Sequence, residues 1–355
     1  MNRIILTGGG SAGHVTPNLA IAPELRRQGW QIDYLGSCRG IEKSLAEKAG
    51  IPYHAISTGK LRRYLDLQNF LDPFRVLAGL IQAYFLLGRL KPAVIFSKGG
   101  YVSLPVAAAG RLRGIPVVLH ESDYSPGLAN KLAALFAKFI CVSFPETALR
   151  FSSRKTFYTG TPVRPELFSG NRERGLRVCG FNAQKPVLMV IGGSLGSERI
   201  NKAVRAALPE LLRVFQVLHI CGKGNTDRSL IWEGYCQLEY AHDELAHIFA
   251  AADLAVSRAG ANTLFELLSL RKLHLLIPLS KEASRGDQIL NARSFVKTGC
   301  SMVLEEEALS AASLISAVFK LWEHKAQYLK AMENNPVKDG SREVINVIHK
   351  AAGVK

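Results

Sequence analysis

The chain contains no uninterrupted apolar run of about 18 residues, the least that a membrane-crossing helix needs, and this excludes a polytopic membrane protein. It contains no low-complexity segment either. With 48% hydrophobic residues it is not the Leu-, Ile-, Val- and Phe-poor kind of sequence that stays disordered. It is short of acid, with 29 Asp plus Glu against 45 Lys plus Arg, a formal net charge of +16. That deficit calls for an acidic partner: nucleic acid, an anionic membrane face or a phosphate-bearing substrate. Paired cysteines are missing too. Cys38, Cys141, Cys179, Cys221, Cys236 and Cys300 lie far apart with no CxxC, so neither a disulfide framework nor a zinc site is expected, only reduced, buried thiols. The start, MNRIILTGGG, lacks the apolar core of a signal peptide, and a cytoplasmic location follows from this reading.

What is present is a repeated pattern on a chain of 355 residues, long enough for about two domains. Short apolar runs at Arg3–Thr7, Gln31–Leu35, Tyr53–Ile56, Ala93–Ser97, Val117–His120 and Phe139–Val142 alternate with amphipathic stretches such as Pro17–Gln28 and Ile41–Ala49. Runs this short, rich in β-branched residues and ending in Gly or Ser, predict strands of a parallel, doubly wound α/β sheet. The pattern restarts at Pro186–Ile191 and continues through Val214–Cys221, Cys236–Tyr240, Leu254–Ser257, Leu273–Ile277 and Ser301–Leu304. Two Rossmann-like halves are the economical reading, joined near Thr159–Pro165, where two prolines interrupt regular structure. A last helix is expected over Arg342–Ala352. Residues 1–164 carry 21 Lys/Arg and 9 Asp/Glu, so most of the positive field belongs to the first half.

Three glycine loops follow predicted strands: Thr7-Gly8-Gly9-Gly10-Ser11-Ala12-Gly13-His14, Ser97-Lys98-Gly99-Gly100-Tyr101-Val102-Ser103, and Gly192-Gly193-Ser194-Leu195-Gly196-Ser197. Glycines there let the backbone turn tightly and approach a phosphate or sugar, with a helix N-terminus supplying N–H donors. None is a Walker loop, because no Gly-Lys-Ser/Thr follows. Gly8, Gly10 and Gly13 fit the dinucleotide spacing only loosely, and a single loop of this kind can simply pack helix on strand. Three loops across two halves point to a site between domains. His14, at a first helical turn, fits a proton acceptor as well as a packing or capping histidine. Ser194 can donate to a phosphate oxygen, and Arg164, at the join, can serve as a fixed cation or be an ordinary surface arginine. Glu266, in the first turns of a helix after Ser257-Arg258-Ala259-Gly260, fits a ribose-binding carboxylate or a dipole-stabilised helix start. Arg285–Ala292 offers amides for sugar hydroxyls or a solvated helix start.

Leu61–Leu90 differs in kind. Phe70, Phe74, Leu77, Leu80, Ile81, Tyr84, Phe85 and Leu87 recur at helical spacing, and Lys60, Arg62, Arg63, Arg75, Arg89 and Lys91 rim the segment. That composition suits either a core helix or a helix lying on an anionic membrane surface. The membrane reading places Phe74, Leu77, Ile81 and Phe85 in the lipid and Arg75 and Arg89 at its charged face.

Taken together, GGGSAGHVTPNLAIA, KGGYVSLPV, HESDYSPGLANK, GTPVR, GGSLGSERIN, SRAGANTLFELL and GDQILNA resemble the MurG family, in order over nearly the whole chain. That family transfers GlcNAc from UDP-GlcNAc to lipid I, undecaprenyl-diphosphate-MurNAc-pentapeptide, giving lipid II for peptidoglycan. The resemblance implies a GT-B fold: residues 1–163 as an acceptor- and membrane-binding domain, 164–339 as a UDP-GlcNAc domain, and 340–355 as a helix returning to the first domain. It implies Ser11, Ala12 and Gly13 near sugar and diphosphate, with Gly99, Gly100 and Tyr101 in a further acceptor and diphosphate loop. Arg164 and Ser194 would meet the diphosphate, and Ala261, Asn262, Thr263, Leu264, Phe265 and Glu266 would wrap the nucleotide. Gln288 would reach GlcNAc, the loop of His242 uracil, and Asp123 the substrate. His14 and Glu121 would stand closest to the reacting centre. No cofactor and no metal are implied, since no Asp-x-Asp motif occurs. The expected partners are the two substrates, an anionic membrane surface and proteins of the divisome or elongation complex, with no nucleic acid.

The chain departs from the family pattern at three places: Ser11-Ala12 for Thr-Gly, Asp123 where some members carry Asn, and Asp287 before Gln288. The rival readings are a same-fold enzyme, either a glycolipid glycosyltransferase or a UDP-GlcNAc 2-epimerase, then a nicotinamide-dependent oxidoreductase, and a nucleic-acid binder. The basic apolar segment disfavours the epimerase. The absence of an acidic residue at the end of the second strand, Tyr34-Leu35-Gly36-Ser37, disfavours the oxidoreductase. The nucleic-acid reading lacks aromatic-basic stacking motifs.

Overall fold

A computed structural model describes residues 2–59, 68–193, 196–241, 243–282, 284–336 and 339–354, with only the backbone of 68–71. The chain divides into two compact units, one formed by Met1–Arg164 with Asp339–Lys355 and the other by Pro165–Lys338.

The first unit is built on a parallel sheet of β1 (Arg3–Thr7), β2 (Gln31–Ser37), β3 (Tyr53–Ile56), β4 (Val94–Ser97), β5 (Val117–Glu121), β6 (Phe139–Val142) and β7 (Thr156–Tyr158), in the order β3-β2-β1-β4-β5-β6-β7. β4 is buried at every position, as its apolar run Val94-Ile95-Phe96 requires when helices cover both faces. Alternate residues serve opposite layers. Ile4 and Leu6 pack with Ile21, Leu25 and Trp30, whereas Ile5 packs with Leu35, Ala83, Leu87 and Val106. The first layer is completed from far along the chain by Val344, Ile345 and Ile348 of the helix Ser341–Ala352, with His349 stacked on Trp30 at 5.7 Å. Each such buried Val or Ile contributes about 1.5–3 kcal/mol. Asp339 Oδ1 accepts from the Val163 amide at 3.0 Å, and the Gly340 amide donates to Thr161 at 2.9 Å, fixing the point of return.

The second unit repeats the plan with β8 (Val187–Ile191), β9 (Gln216–Ile220), β10 (Tyr235–Leu238), β11 (Leu254–Ser257), β12 (Leu273–Leu276) and β13 (Met302–Val303), all parallel, in the order β10-β9-β8-β11-β12-β13. Its core joins Leu188, Val190, Val217 and Val256 to Val204 and Leu208 on one helix and Leu314 and Val318 on another. In each sheet the chain reverses its winding at one place, between β1 and β4 and between β8 and β11. The carboxyl ends of those strands form a crevice suited to ligands.

The strands differ from the sequence expectation mainly at edges. β7 has only three residues and no apolar run to announce it, and β13 shrinks to two. Pro165 does not simply interrupt structure but opens a 3-10 turn, Pro165–Ser169. The thiols are not all buried: Cys38 is exposed, and Cys179 and Cys236 are half-buried and near enough to influence each other, so that pair is not far apart in space. The long helix runs Gln68–Leu90, and residues 60–67, with Lys60, Arg62 and Arg63, lie outside the described residues.

Candidate active site

In the first unit the loop Gly8–Ser11 leaves β1 and enters a 3-10 turn, Ala12–His14, and then the helix Thr16–Arg27. The loop is fixed from behind. The Tyr34 hydroxyl donates to Gly8 O at 2.7 Å, and the Asn18 amide donates to Thr7 O at 3.1 Å. Opposite it, after β4, Gly99 and Gly100 have φ of +93° and +82°, a conformation that favours glycine. A Cβ on Gly100 would lie 2.3 Å from Gly9 O and 3.3 Å from His14 Nδ1, so the two loops touch. A Cβ on Gly10 would lie 2.7 Å from the Tyr101 ring. The structure therefore brings Ser11, His14, Gly99, Gly100 and Tyr101 together at the β1–β4 crevice. His14 is half-buried, with Nδ1 3.0 Å from Ser11 Oγ.

Behind the second loop lies a buried polar chain. Lys98, 1% exposed, donates from Nζ to His120 Nδ1 at 2.8 Å and also to Ser122 Oγ. His120 Nε2 meets Gly160 O at 2.9 Å. A carbonyl only accepts, so Nε2 carries the proton, Nδ1 is the acceptor and the ring is neutral. Burial and the Lys98 charge hold it well below the ordinary histidine range. Burial likewise lowers Lys98, against the pull of Glu121 and Asp123.

Glu121 closes β5 at 4% exposure and accepts from the Asp123 amide at 3.0 Å, the Gly127 amide at 3.1 Å and Asn130 Nδ2 at 2.9 Å. Burial, then the nearby Asp123 charge, pushes its pKa up. Three internal donors hold the carboxylate, which ties the Asp123–Gly127 turn to its helix and braces it from beneath.

Glu42 was not singled out by sequence reasoning. It reaches back from the helix Ile41–Lys48, wholly buried, to accept from Ser37 Oγ at 2.5 Å and from the Gly10 amide at 3.4 Å. The end of β2 thus does have an acid, supplied from 5 residues on, and its oxygens are committed to the loop rather than offered to a ribose.

In the second unit, Ser197 caps the helix Glu198–Val214, accepting from the Ile200 amide at 3.4 Å. Arg258, after β11, donates to Ser197 Oγ at 2.7 Å and pairs with the buried Glu306 at 2.5 Å. Glu306 in turn accepts from the Ser280 amide at 3.0 Å. Arg258 and Glu306 therefore tie the third glycine loop to the β12 end. Ala261, Asn262, Thr263, Leu264, Phe265 and Glu266 form the opening turns of the helix Ala261–Ser269 at the β8–β11 crevice, with Glu266 6% exposed. Gln288 spends its Oε1 on the Ala259 amide at 3.3 Å and the Leu279 amide at 3.1 Å. Arg164 is half-buried at the end of the first unit's main segment, and Ser194 and His242 lie outside the described residues.

Phe74, Leu77, Ile81 and Phe85 stand on one face of the helix Gln68–Leu90 at 72%, 53%, 49% and 67% exposure, with Arg75 and Arg89 also exposed. Ala83 and Leu87 turn the other way, into the core. The apolar spacing seen in sequence is therefore two stripes, one inward and one outward.

Comparisons with known proteins agree with this architecture. Residues 4–142 match the glycosyltransferase family 28 N-terminal domain, and residues 187–348 match its C-terminal domain. The chain is 54% identical over 349 residues, 98% of each chain, to a protein of Lachnoclostridium phytofermentans named UDP-N-acetylglucosamine--N-acetylmuramyl-(pentapeptide) pyrophosphoryl-undecaprenol N-acetylglucosamine transferase. It is 53% identical over 350 residues, again 98% of each, to the Clostridium novyi protein of the same name. The crystal structure of Acinetobacter baumannii MurG superimposes with a TM-score of 0.75 over 99% of this chain and 100% of that one, at 25% identity. The calicheamicin glycosyltransferase CalG4 shares the fold, with a TM-score of 0.68 over 99% and 98% at 14% identity. The fold is GT-B, and the chain belongs to the family of UDP-N-acetylglucosamine--N-acetylmuramyl-(pentapeptide) pyrophosphoryl-undecaprenol N-acetylglucosamine transferases, glycosyltransferases of family 28.

Proposed function

We propose that the protein transfers GlcNAc from UDP-GlcNAc to the C4 hydroxyl of the MurNAc unit in lipid I, with inversion at the anomeric carbon, giving the β-1,4 bond of lipid II. What carries the reading is identity above half over nearly the full length of relatives named for this transfer, with the glycine loops of both crevices in place. The second unit holds the donor: the start of the helix Ala261–Ser269 presents amides to the nucleotide, Glu266 takes the ribose, and the NH₂ of Gln288 takes a GlcNAc hydroxyl. The loops of Ser194 and His242 complete that site at the diphosphate and uracil.

The first unit holds the acceptor between the loops of Ser11-Ala12-Gly13 and Gly99-Gly100-Tyr101. The acceptor oxygen attacks C1 as the C1–O bond to the diphosphate breaks. His14 Nε2 takes the hydroxyl proton when Ser11 Oγ accepts from Nδ1–H, and Arg164 steadies the departing UDP. Glu121 acts through the Asp123 turn as a positioning residue. The outward stripe of Phe74, Leu77, Ile81 and Phe85, rimmed by Arg75 and Arg89, rests on the anionic cytoplasmic leaflet where the polyprenol acceptor resides. Among the described residues no helix is long and apolar enough to cross a membrane. Proteins of the divisome or elongation complex are the expected company at that surface.

Labelled UDP-GlcNAc offered with and without a lipid I analogue tests the reading. Transfer only with the acceptor is expected, and acceptor-independent conversion of the sugar would replace it with an epimerase.

A further inference from the structure

Beside the acceptor loops, within the first unit, lies a cavity of about 430 Å³ that no step above uses. Its lining includes Arg39, Ser57, Thr58, Asp72, Arg75 and Tyr101. Asp72 Oδ1 pairs with Arg75 at 3.2 Å, and the two side chains divide unequally: that of Asp72 is 7% exposed and that of Arg75 45%. Asp72 Oδ2 is buried and has no hydrogen-bond partner among the described residues. The carboxylate is thus sunk in the wall, while the two arginines of the lining, Arg39 and Arg75, are exposed. Planar guanidinium forks suit phosphate oxygens, and the hydroxyls of Ser57 and Thr58 add donors of the kind a phosphate accepts.

The position of the cavity narrows the ligand. On one side Arg75 lies next to Phe74, where the outward apolar stripe of its helix begins. On the other side Tyr101 lies against Gly10, and Gly100 against His14. The order is apolar stripe, paired arginines, acceptor loop, base. A polyprenyl-diphosphate sugar has the same order, from hydrocarbon through diphosphate to the reacting hydroxyl. Resting on the function proposed above, we infer that the Arg39–Arg75 cavity receives the diphosphate of the lipid-linked acceptor, separately from the donor's diphosphate in the second unit.

The test uses the full-length enzyme in detergent with a lipid I analogue, comparing the wild type with Arg39→Gln, Arg75→Gln and the double variant, and Arg111→Gln as a charge-matched surface control. The acceptor KM is expected to rise about tenfold per arginine, the cost of one charge-assisted phosphate contact. The UDP-GlcNAc KM should stay unchanged. Inhibition by geranyl diphosphate, competitive with the acceptor, should weaken in parallel. Equal geranyl diphosphate inhibition in wild type and double variant overturns the assignment. So does a KM defect that vanishes on an acceptor lacking the peptide, which would give the cavity to the peptide, or one that appears only on phosphatidylglycerol vesicles, which would give it to membrane headgroups. Failure of the wild type to transfer at all would instead reject the underlying function.

Discussion

Lys98 and His120 meet at 2.8 Å in a space closed to solvent, an ammonium donating to a neutral imidazole. The next residue along the chain from each, Gly99 and Glu121, belongs to the second glycine loop or to its brace, so the pair couples the β4 end to the β5 end. Replacing Lys98 by Met leaves Nδ1 without its donor in the interior. A loss of about 1–3 kcal/mol in unfolding free energy is expected, the cost of an orphaned buried group. Activity should fall with it. Urea unfolding of K98M checks this, and an unchanged midpoint would refute the coupling.

His14 is expected to supply a general-base factor of about 10²–10⁴ in kcat. His14→Ala should lose that factor at unchanged UDP-GlcNAc KM, and Ser11→Ala should lose less, since it removes only the orienting contact at 3.0 Å. Full turnover by H14A on a lipid I analogue would remove His14 from the chemistry.

The glycines at the loop contact allow a sharper steric test. A methyl on Gly99 would fall 2.2 Å from Asn130 Oδ1 and one on Gly100 2.3 Å from Gly9 O, both at positive φ. Gly100→Ala meets backbone, which cannot move aside as a side chain can, so its acceptor KM and kcat should suffer more than those of Gly99→Ala. The reverse order would show that the loops are free to separate.

Arg258 and Glu306 are expected to matter as a pair. Breaking a buried ion pair from one side strands the other charge, at about 3–5 kcal/mol, whereas removing both costs much less. Arg258→Met should therefore destabilise the protein and raise the UDP-GlcNAc KM through the Ser197 loop. Arg258→Met with Glu306→Leu should recover stability but not affinity. Additive losses in the double variant would mean that the two do not interact.

Acid sensitivity should come from the buried neutral histidines, His120 in the first unit and His219 and His274 in the second. Burial lowers His219 from 6.5 to about 3 and His274 from 6.5 to about 4. A depressed pKa stabilises fully above the unfolded value and loses that contribution as pH falls through the folded one. Each neutral ring therefore gives up roughly 2.5 kcal/mol between neutrality and pH 4.5. His274→Gln should flatten the decline of Tm between pH 6.5 and 4.5. A variant that declines as steeply as the wild type would contradict this.

The sequence announced whatever depends on local pattern. The interior strands are legible because parallel strands covered on both faces carry apolar runs, such as Val94-Ile95-Phe96 of β4, and the loops because positive φ selects glycine. The pieces that escaped reading are contacts across sequence. Glu42 meets Gly10 across 32 residues and Lys98 meets His120 across 22, and no spacing rule links them. Glu121 was legible as important, but the hold of Asp123, Gly127 and Asn130 on it depends on how the turn folds over it. The split of the Leu61–Leu90 pattern into an inward and an outward stripe likewise required knowing which side of the helix the sheet occupies.

The helix Ser341–Ala352 is translated after every residue of the second unit, yet it carries part of the core of the first. During synthesis, then, the second unit holds all its own parts while the first still waits for Val344, Ile345 and Ile348, with Trp30 and its neighbours uncovered on the ribosome. The inserted unit thus has its whole sequence first, and the unit that carries the first two glycine loops receives its last core helix at the end of synthesis.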